Sequence, residues 1–303
     1  MIKSIFDTYD TTILITIFII LFLLESKFQL RKRVQNRWKR IVINFIVSIP
    51  SFALLRLLFI PVMVWLAVEN QSWQIGLNYL FAAPFVISYS ISFLLLDYSN
   101  YIWHVLLHKL PFMWRFHLVH HSGLDLDITT AFRFHFGEMI GSVFFRGAAI
   151  ILIGASPMMV LIYEITFEAA TQFHHSNIKL PFKFEKILNI LIVTPRMYGI
   201  HHSIIKRETD SNYSIIFSFW DRIHKTARLN IRKGNKPYQL SKVLHRQCKL
   251  IGSKIIKTGL WGYRYENRTS ISILQLTFEY SRKQVLYICK KYDLSAFTPI
   301  IAQ

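Results

Sequence analysis

The sequence predicts an all-α integral membrane protein, with transmembrane helices and a cytoplasmic helical cap. Three observations carry this expectation. The 303-residue chain is 52% hydrophobic and holds 25 phenylalanines, and its apolar residues are bunched into runs approaching the ~20 residues that span a bilayer. Its net charge of +19 lies beside and after those runs rather than inside them. Ten of its twelve histidines fall between His104 and His202, many at helical spacing.

The first apolar run, residues 11–24, is followed by a basic stretch. The run is short and needs Ile5, Phe6 or Phe28 to complete a span. Asp7 and Asp10 follow a single Lys3 and no small-residue cleavage pattern comes after Leu24, so it reads as a membrane anchor and not as a secretory signal. Residues 41–68 are the second run, interrupted only by Asn44, Ser48, Ser51 and Arg56 among polar residues, and residues 77–96 are the third.

Lys27, Arg31, Lys32, Arg33, Arg37, Lys39 and Arg40 crowd the stretch between the first two runs, while residues 69–76 carry no basic residue. Cytoplasmic loops are enriched in Lys and Arg, so residues 27–40 are expected in the cytoplasm and the short loop outside. A third span then returns the chain to the cytoplasm just ahead of the first histidines.

Residues 139–173 are apolar around a central Gly154-Ala155-Ser156-Pro157. Those residues break helices and favour turns, which predicts a hairpin of two helical arms. Arms of about 15 residues suit a shallow or re-entrant hairpin better than two full crossings. From Leu180 onward the composition changes, and residues 183–303 hold 22 Lys or Arg against 7 Asp or Glu. With no nucleic-acid-binding motif beside it, that excess fits a cytoplasmic surface facing anionic lipid and excludes nucleic acid as the expected partner. Cys248 and Cys289 are isolated, as expected in a reduced compartment. The domain expectation is an anchor with a basic loop at 1–76, a histidine-box membrane domain at 77–228, and a basic cytoplasmic region at 229–303.

His104, His108, His117, His120, His121 and His135 lie within 36 residues, and His174, His175, His201 and His202 follow. If helical, His104 and His108 share one face, and His117, His120 and His121 another. A single histidine in an apolar helix is usually a hydrogen-bonded core residue. Ten together beside lipid would be costly unless something pairs them. Imidazole suits iron, zinc, copper and nickel, and no cysteine run competes for a metal. A membrane metal transporter or metal-binding protein without oxidase activity would also gather histidines, but spaced along a path across the bilayer. A zinc hydrolase lacks support, since no HExxH occurs and neither HxxHH nor HxxxH carries a general-base glutamate.

The order of motifs resembles the fatty acid hydroxylase and sterol desaturase superfamily. It comprises HxxxH at His104, HxxHH at His117, a hydrophobic hairpin, HHSNIKLP from His174 and TPRMYGIHHS ending in the pair at His201 and His202. Asp97, the TTAFRFHFGE around His135 and DSNYSIIFSFWDRIHKT extend the likeness over residues 90–226. The resemblance implies a histidine-ligated dimetal site in the cytoplasmic cap, holding two iron ions. It further implies dioxygen as co-substrate, a lipid substrate (sterol, fatty acyl or related) that is hydroxylated or desaturated, and electrons from a separate protein, a b-type cytochrome or a ferredoxin with its reductase. The ligands it implies are His104, His108, His117, His120, His121, His175, His201 and His202, with His135 and His174 as further candidates.

Three positions depart from the family pattern. Tyr198 replaces the first histidine of the third box, Phe136 replaces a proline, and His224-Lys225 replace an aromatic residue and a glycine before Thr226. Tyr198 could ligate iron, order a water, or mark a site that has lost a ligand. Metal-bound histidines usually donate their second ring nitrogen to a carboxylate or carbonyl. The acids within reach in sequence are Asp97, Asp125, Asp127, Glu138, Asp210 and Asp221, and Asp97, at the end of an apolar run, is the favoured one.

Overall fold

The computed structural model describes residues 2–229 apart from 82, 124 and 204, with side chains from residue 11 onward. The expected C-terminal region therefore lies almost wholly outside the described residues. The rest is helical, in the order α1 (Ile2–Lys27), α2 (Arg37–Leu54), α3 (Ile60–Trp73), α4 (Leu77–Leu80), α5 (Phe85–Lys109), α6 (Pro111–His121), α7 (Phe136–Ile153), α8 (Pro157–His175), α9 (Phe182–Leu191), α10 (Pro195–His201), α11 (Lys206–Thr209) and α12 (Phe219–Ile223). Among the described residues extended pairing is limited to two isolated bridges, Gln29 with Ile178 and Ile192 with Phe217.

Helix α2 explains the few polar residues of the second apolar run. Arg40, Asn44, Ser48 and Ser51 recur at intervals of four, four and three, so they share one face, and that face is the buried one. Arg40 Nε donates to Asp127 Oδ2 (2.8 Å), Asn44 Nδ2 to Thr129 Oγ1 (2.7 Å) and Ser51 Oγ to the Phe134 carbonyl (2.6 Å). Val42 and Ile46 point outward, and Phe45, Ile49 and Phe52 are exposed beside them. Pro61 supplies no N–H, and the turn ahead of it, Leu55–Phe59, widens to π geometry before α3 begins.

Two stretches, Arg37–Leu80 and Phe136–Ile153, are long and apolar enough to cross a membrane. The third apolar run differs from expectation. Helix α4 stops at Leu80, Pro84 restarts the chain, and α5 carries on through His104 and His108, so the run is broken near its start and fused to the first histidine box.

The hairpin forms as expected, with a turn where Gly154 adopts φ +72° and Ser156 caps α8. Its arms are longer than the sequence suggested. At 18 and 19 residues, each is ~27–28 Å long, close to the ~30 Å hydrocarbon thickness. Helix α7 starts directly after His135 and α8 runs unbroken through His175, so the flanking histidine motifs extend both arms.

The loop at Gln74–Gly76 meets the hairpin turn, at the end of α5, α7 and α8 remote from the histidines. Asn78 Nδ2 donates to the Gly154 carbonyl (3.1 Å) and Asn70 Nδ2 to those of Ile75 (2.8 Å) and Ile151 (3.2 Å). Gly76, at φ +117°, is pressed so close to Gly154 that a Cβ would fall 2.4 Å from its nitrogen. Only glycine fits. A buried core of Phe59, Met63, Ile150, Met159, Val160 and Tyr163 lies between α3, α5, α7 and α8.

At the opposite end the basic stretch is tied into the fold. Glu25 pairs with Arg33 and Arg37 and accepts from the backbone N–H of Ile128 (3.1 Å) and Asn177 (2.9 Å). Arg31 donates to the Pro195 carbonyl (2.5 Å). These arginines help tie together the end of the helices that holds the histidine boxes.

Candidate metal centre

Helices α5 and α6, the end of α8 and α10 bring nine of the ten predicted histidines together. His104, His108, His117, His121 and His201 form one group whose facing ring nitrogens lie within 4.8 Å of one another, and His120, His175 and His202 form a second. The groups adjoin, with ring centroids of His121 and His202 4.4 Å apart and of His117 and His120 5.2 Å apart.

The orientation of six of the rings is fixed from behind. His104 Nδ1 donates to the Tyr213 carbonyl (2.7 Å), His201 Nδ1 to Ser211 (2.7 Å), His175 Nδ1 to Thr171 (2.7 Å), His174 Nδ1 to Ile215 (3.1 Å) and His120 Nδ1 to Arg133 (3.2 Å). His117 Nδ1 donates to Glu138 Oε1 (3.1 Å). Each of these bonds places the proton on Nδ1 and leaves Nε2 as a bare lone pair. The Nε2 atoms of His104, His108, His174, His201 and His202 are buried without a hydrogen-bond partner among the described residues.

A satisfied histidine core would not leave so many acceptors facing one another. Nitrogens sharing an ion at ~2 Å would stand about 3–4 Å apart, and His121 Nε2 is 3.2 Å from His117 Nε2 while His175 Nε2 is 2.9 Å from His120 Nε2. Burial and neighbouring imidazoles hold His108, His120, His121 and His202 well below the usual histidine range, and burial brings His201 down to about 3. These rings are neutral at physiological pH. The donor set fits a pair of metal ions.

His174 and Tyr198 stand at the margin of the second group. Their ring centroids are 3.9 Å apart, and Tyr198 is also 4.7 Å from His175 and 4.9 Å from His201. Tyr198 is buried beside the cluster, and burial pushes its phenol well above the ordinary value. His135 is not brought in. Its Nδ1 accepts from Gly137 N (3.0 Å) as the cap of α7, and its ring stacks on Phe116 and Phe136.

Asp97 takes a place away from the rings. It contacts no histidine among the described residues. It accepts from Trp220 Nε1 (2.8 Å), Phe217 N (3.2 Å) and Ile216 N (3.4 Å), and so anchors the 211–220 segment whose carbonyls orient His104, His174 and His201. Asp221 braces the same segment through Tyr213 N and Ser214 N. Asp125 and Asp127 bind backbone amides and Arg40. Glu138 alone of the six hydrogen-bonds a ring, while Asp210 stands 3.7 Å from His108 Nδ1.

The other two departures keep the local geometry. Lys225 sits at φ +57°, the left-handed conformation that favours glycine, and the His224 ring stacks on Tyr101 and Tyr98 at centroid distances of 4.9 and 5.5 Å. Phe136 occupies the first turn of α7, where proline is well tolerated.

A family model described as fatty acid hydroxylase matches residues 89–226, the stretch containing all ten candidate histidines. Over these residues, a little under half of the chain, it is similar to the fatty acid hydroxylase family. Within it the chain is similar to a cholesterol 25-hydroxylase-like protein of Danio rerio, at 26% identity over 53% of this chain and 64% of that protein. It is similar to an alkylglycerol monooxygenase of Xenopus tropicalis, at 33% identity over 45% of this chain and 29% of that protein. A third relative is the ornithine lipid hydroxylase OlsE of Rhizobium tropici, 27% identical over 46% of this chain and 41% of that protein. Each match covers less than two thirds of the relative's length. No solved structure matches the chain.

A cavity of about 700 Å³ leads away from the histidines between α1, α2, α7 and α8. His104, His117, His120, His174, His175 and Tyr198 line its inner end, and Leu14, Phe18, Phe45, Ile49, Phe52 and Leu55 line its walls farther out. Sequence reasoning missed Glu164, Glu168, Thr171 and Gln172, which also face this cavity. Their four- and three-residue spacing back from His175 is the signal that could have found them, but an isolated polar residue in an apolar run does not show what it faces.

Proposed function

We propose that this protein is a membrane-bound di-iron oxygenase that hydroxylates or desaturates a C–H bond of a lipid, with dioxygen and electrons supplied by a separate protein. The observation that carries the proposal is the convergence of eight imidazoles beside a largely apolar cavity, which four of them, His104, His117, His120 and His175, line. In this reading His104, His108, His117, His121 and His201 hold one ion and His120, His175 and His202 hold the other, with His174 adjacent to the second. When bound, iron would supply activation of dioxygen and cleavage of an unactivated C–H bond.

The chain's own residues do the rest. The apolar walls hold a lipid tail in line with the histidines and exclude water from it. Glu138 and the carbonyls of Thr171, Arg133, Ser211 and Tyr213 keep the rings turned with Nε2 inward. Tyr198 holds a hydroxyl at the cavity face of the second group, where it can order a water or pass a proton. The buried polar face and exposed apolar face of α2 favour a lipid surround. So does α9, which exposes Phe182, Phe184, Ile187, Ile190 and Leu191 beside Lys183 and Lys186, as a helix lying at a membrane interface would.

Gathering all the ligands at one end of the fold supports an oxygenase over a transporter. Lipid profiling of cells with and without the protein under labelled dioxygen tests the reading. It should reveal a lipid depleted in expressing cells and a product that has gained labelled oxygen or lost two hydrogens. An unchanged lipid profile alongside metal uptake into vesicles would reverse it.

A further inference from the structure

One face of α8 directs polar groups into the cavity. Glu164, Glu168, Thr171 and His175 are separated by four, three and four residues, so they form a single stripe along the helix. All four line the cavity, with Gln172 beside them. Glu164 is paired with Arg146, whose guanidinium also packs over Phe59 and Phe167. Glu168 is half-buried and hydrogen-bonds no described residue, and its electrostatic neighbours are Glu164, Arg146 and Arg56, all lining the same cavity. Thr171 and Gln172 are only 3% and 2% exposed, yet Thr171 Oγ1 and Gln172 Oε1 have no partner among the described residues.

Buried acceptors left unmet destabilise a fold unless a ligand supplies the donor. A carboxylate, an amide oxygen and a hydroxyl are an acceptor-rich set. We propose that Glu168, Thr171 and Gln172 form a recognition site inside the cavity for a hydrogen-bond donor carried by the lipid substrate, a hydroxyl or an ammonium group. The inference rests on the lipid-oxygenase reading and deepens it. A plain hydrocarbon would leave all three acceptors unpaired.

The site also sets where oxidation falls. Glu168 precedes His175 by seven residues, or ~10 Å along the helix axis.

The test uses the full-length protein in nanodiscs and three tritiated probes of equal chain length: hexadecanol, hexadecylamine and hexadecyl methyl ether. The alcohol and the amine should bind the parent about tenfold or more tightly than the ether, which has no donor. Glu168→Gln should abolish the advantage of the amine and keep part of that of the alcohol, and Glu168→Leu combined with Thr171→Val should bring all three probes level. Equal binding of alcohol and ether by the parent overturns the proposal while leaving the lipid-oxygenase reading intact, and it needs no variant. Variants that keep the preference but lose turnover overturn it too, assigning the stripe to the reaction. Absence of binding by all three probes counts against both readings.

Discussion

His117 Nδ1 lies 3.1 Å from Glu138 Oε1, a contact that joins the second histidine box on α6 to the first turn of α7. Both residues are buried, and Glu138 is the sole carboxylate that hydrogen-bonds a ring of the cluster among the described residues. Partners of this kind typically alter metal affinity or activity 10–100-fold when removed. Glu138→Gln should lower iron occupancy or turnover by about tenfold, with Glu138→Asp intermediate. Elemental analysis and lipid turnover check it together; parent values in both would show that His117 needs no such support.

Tyr198 takes the position where the family has a histidine, yet it packs against His174 and His175 with its ring in the same cluster. Eight imidazoles already supply both groups, and a phenolate is costly to form in so buried a place. Tyr198→Phe should keep the metal and lose part of the rate, without removing any visible absorption band. A charge-transfer band in the oxidised parent that disappears in Tyr198→Phe would identify the phenol as a ligand instead. Unchanged metal content, spectrum and turnover would place the position outside the chemistry.

Lys225 holds the left-handed conformation at φ +57° where the family carries glycine. Relief of that strain, less the extra freedom glycine gives the unfolded chain, should leave Lys225→Gly more stable by about 1 kcal/mol. A raised thermal midpoint in detergent reads this out. A lowered one would mean that the lysine side chain holds the turn.

The two ends of the molecule differ in charge, with the basic stretch and α9 at the histidine end and the Gln74–Gly76 loop at the other. Cysteines placed at the exposed positions Gln71 and Lys186, in a background lacking Cys248 and Cys289, should label from opposite sides of the membrane, with Lys186→Cys reached from the cytoplasm. Labelling of both from one side would contradict the arrangement.

Much of the site was legible because imidazole clusters have few structural uses, so His104 through His202 declared a common purpose before any fold was known. The hairpin was legible for a similar reason, since Gly154 and Pro157 break an otherwise apolar run. His135 and Asp97 misled, because a residue in a motif near the site can serve to cap a helix or anchor a loop, and spacing alone does not distinguish these roles. The polar stripe on α2 was visible as four exceptions in an apolar run, but its partners Asp127, Thr129 and Phe134 lie more than 80 residues away. The carbonyls that orient the rings were invisible, since a backbone oxygen leaves no mark in a sequence.

The central claim is a pair of iron ions held by eight histidines, and elemental analysis of the full-length protein tests it most directly. Protein expressed with ample iron and purified without chelator should carry about two iron atoms per chain, falling in His108→Ala and in His175→Ala, which remove one ligand from each group. Protein with no bound metal, or with a single zinc and no iron, would contradict the account.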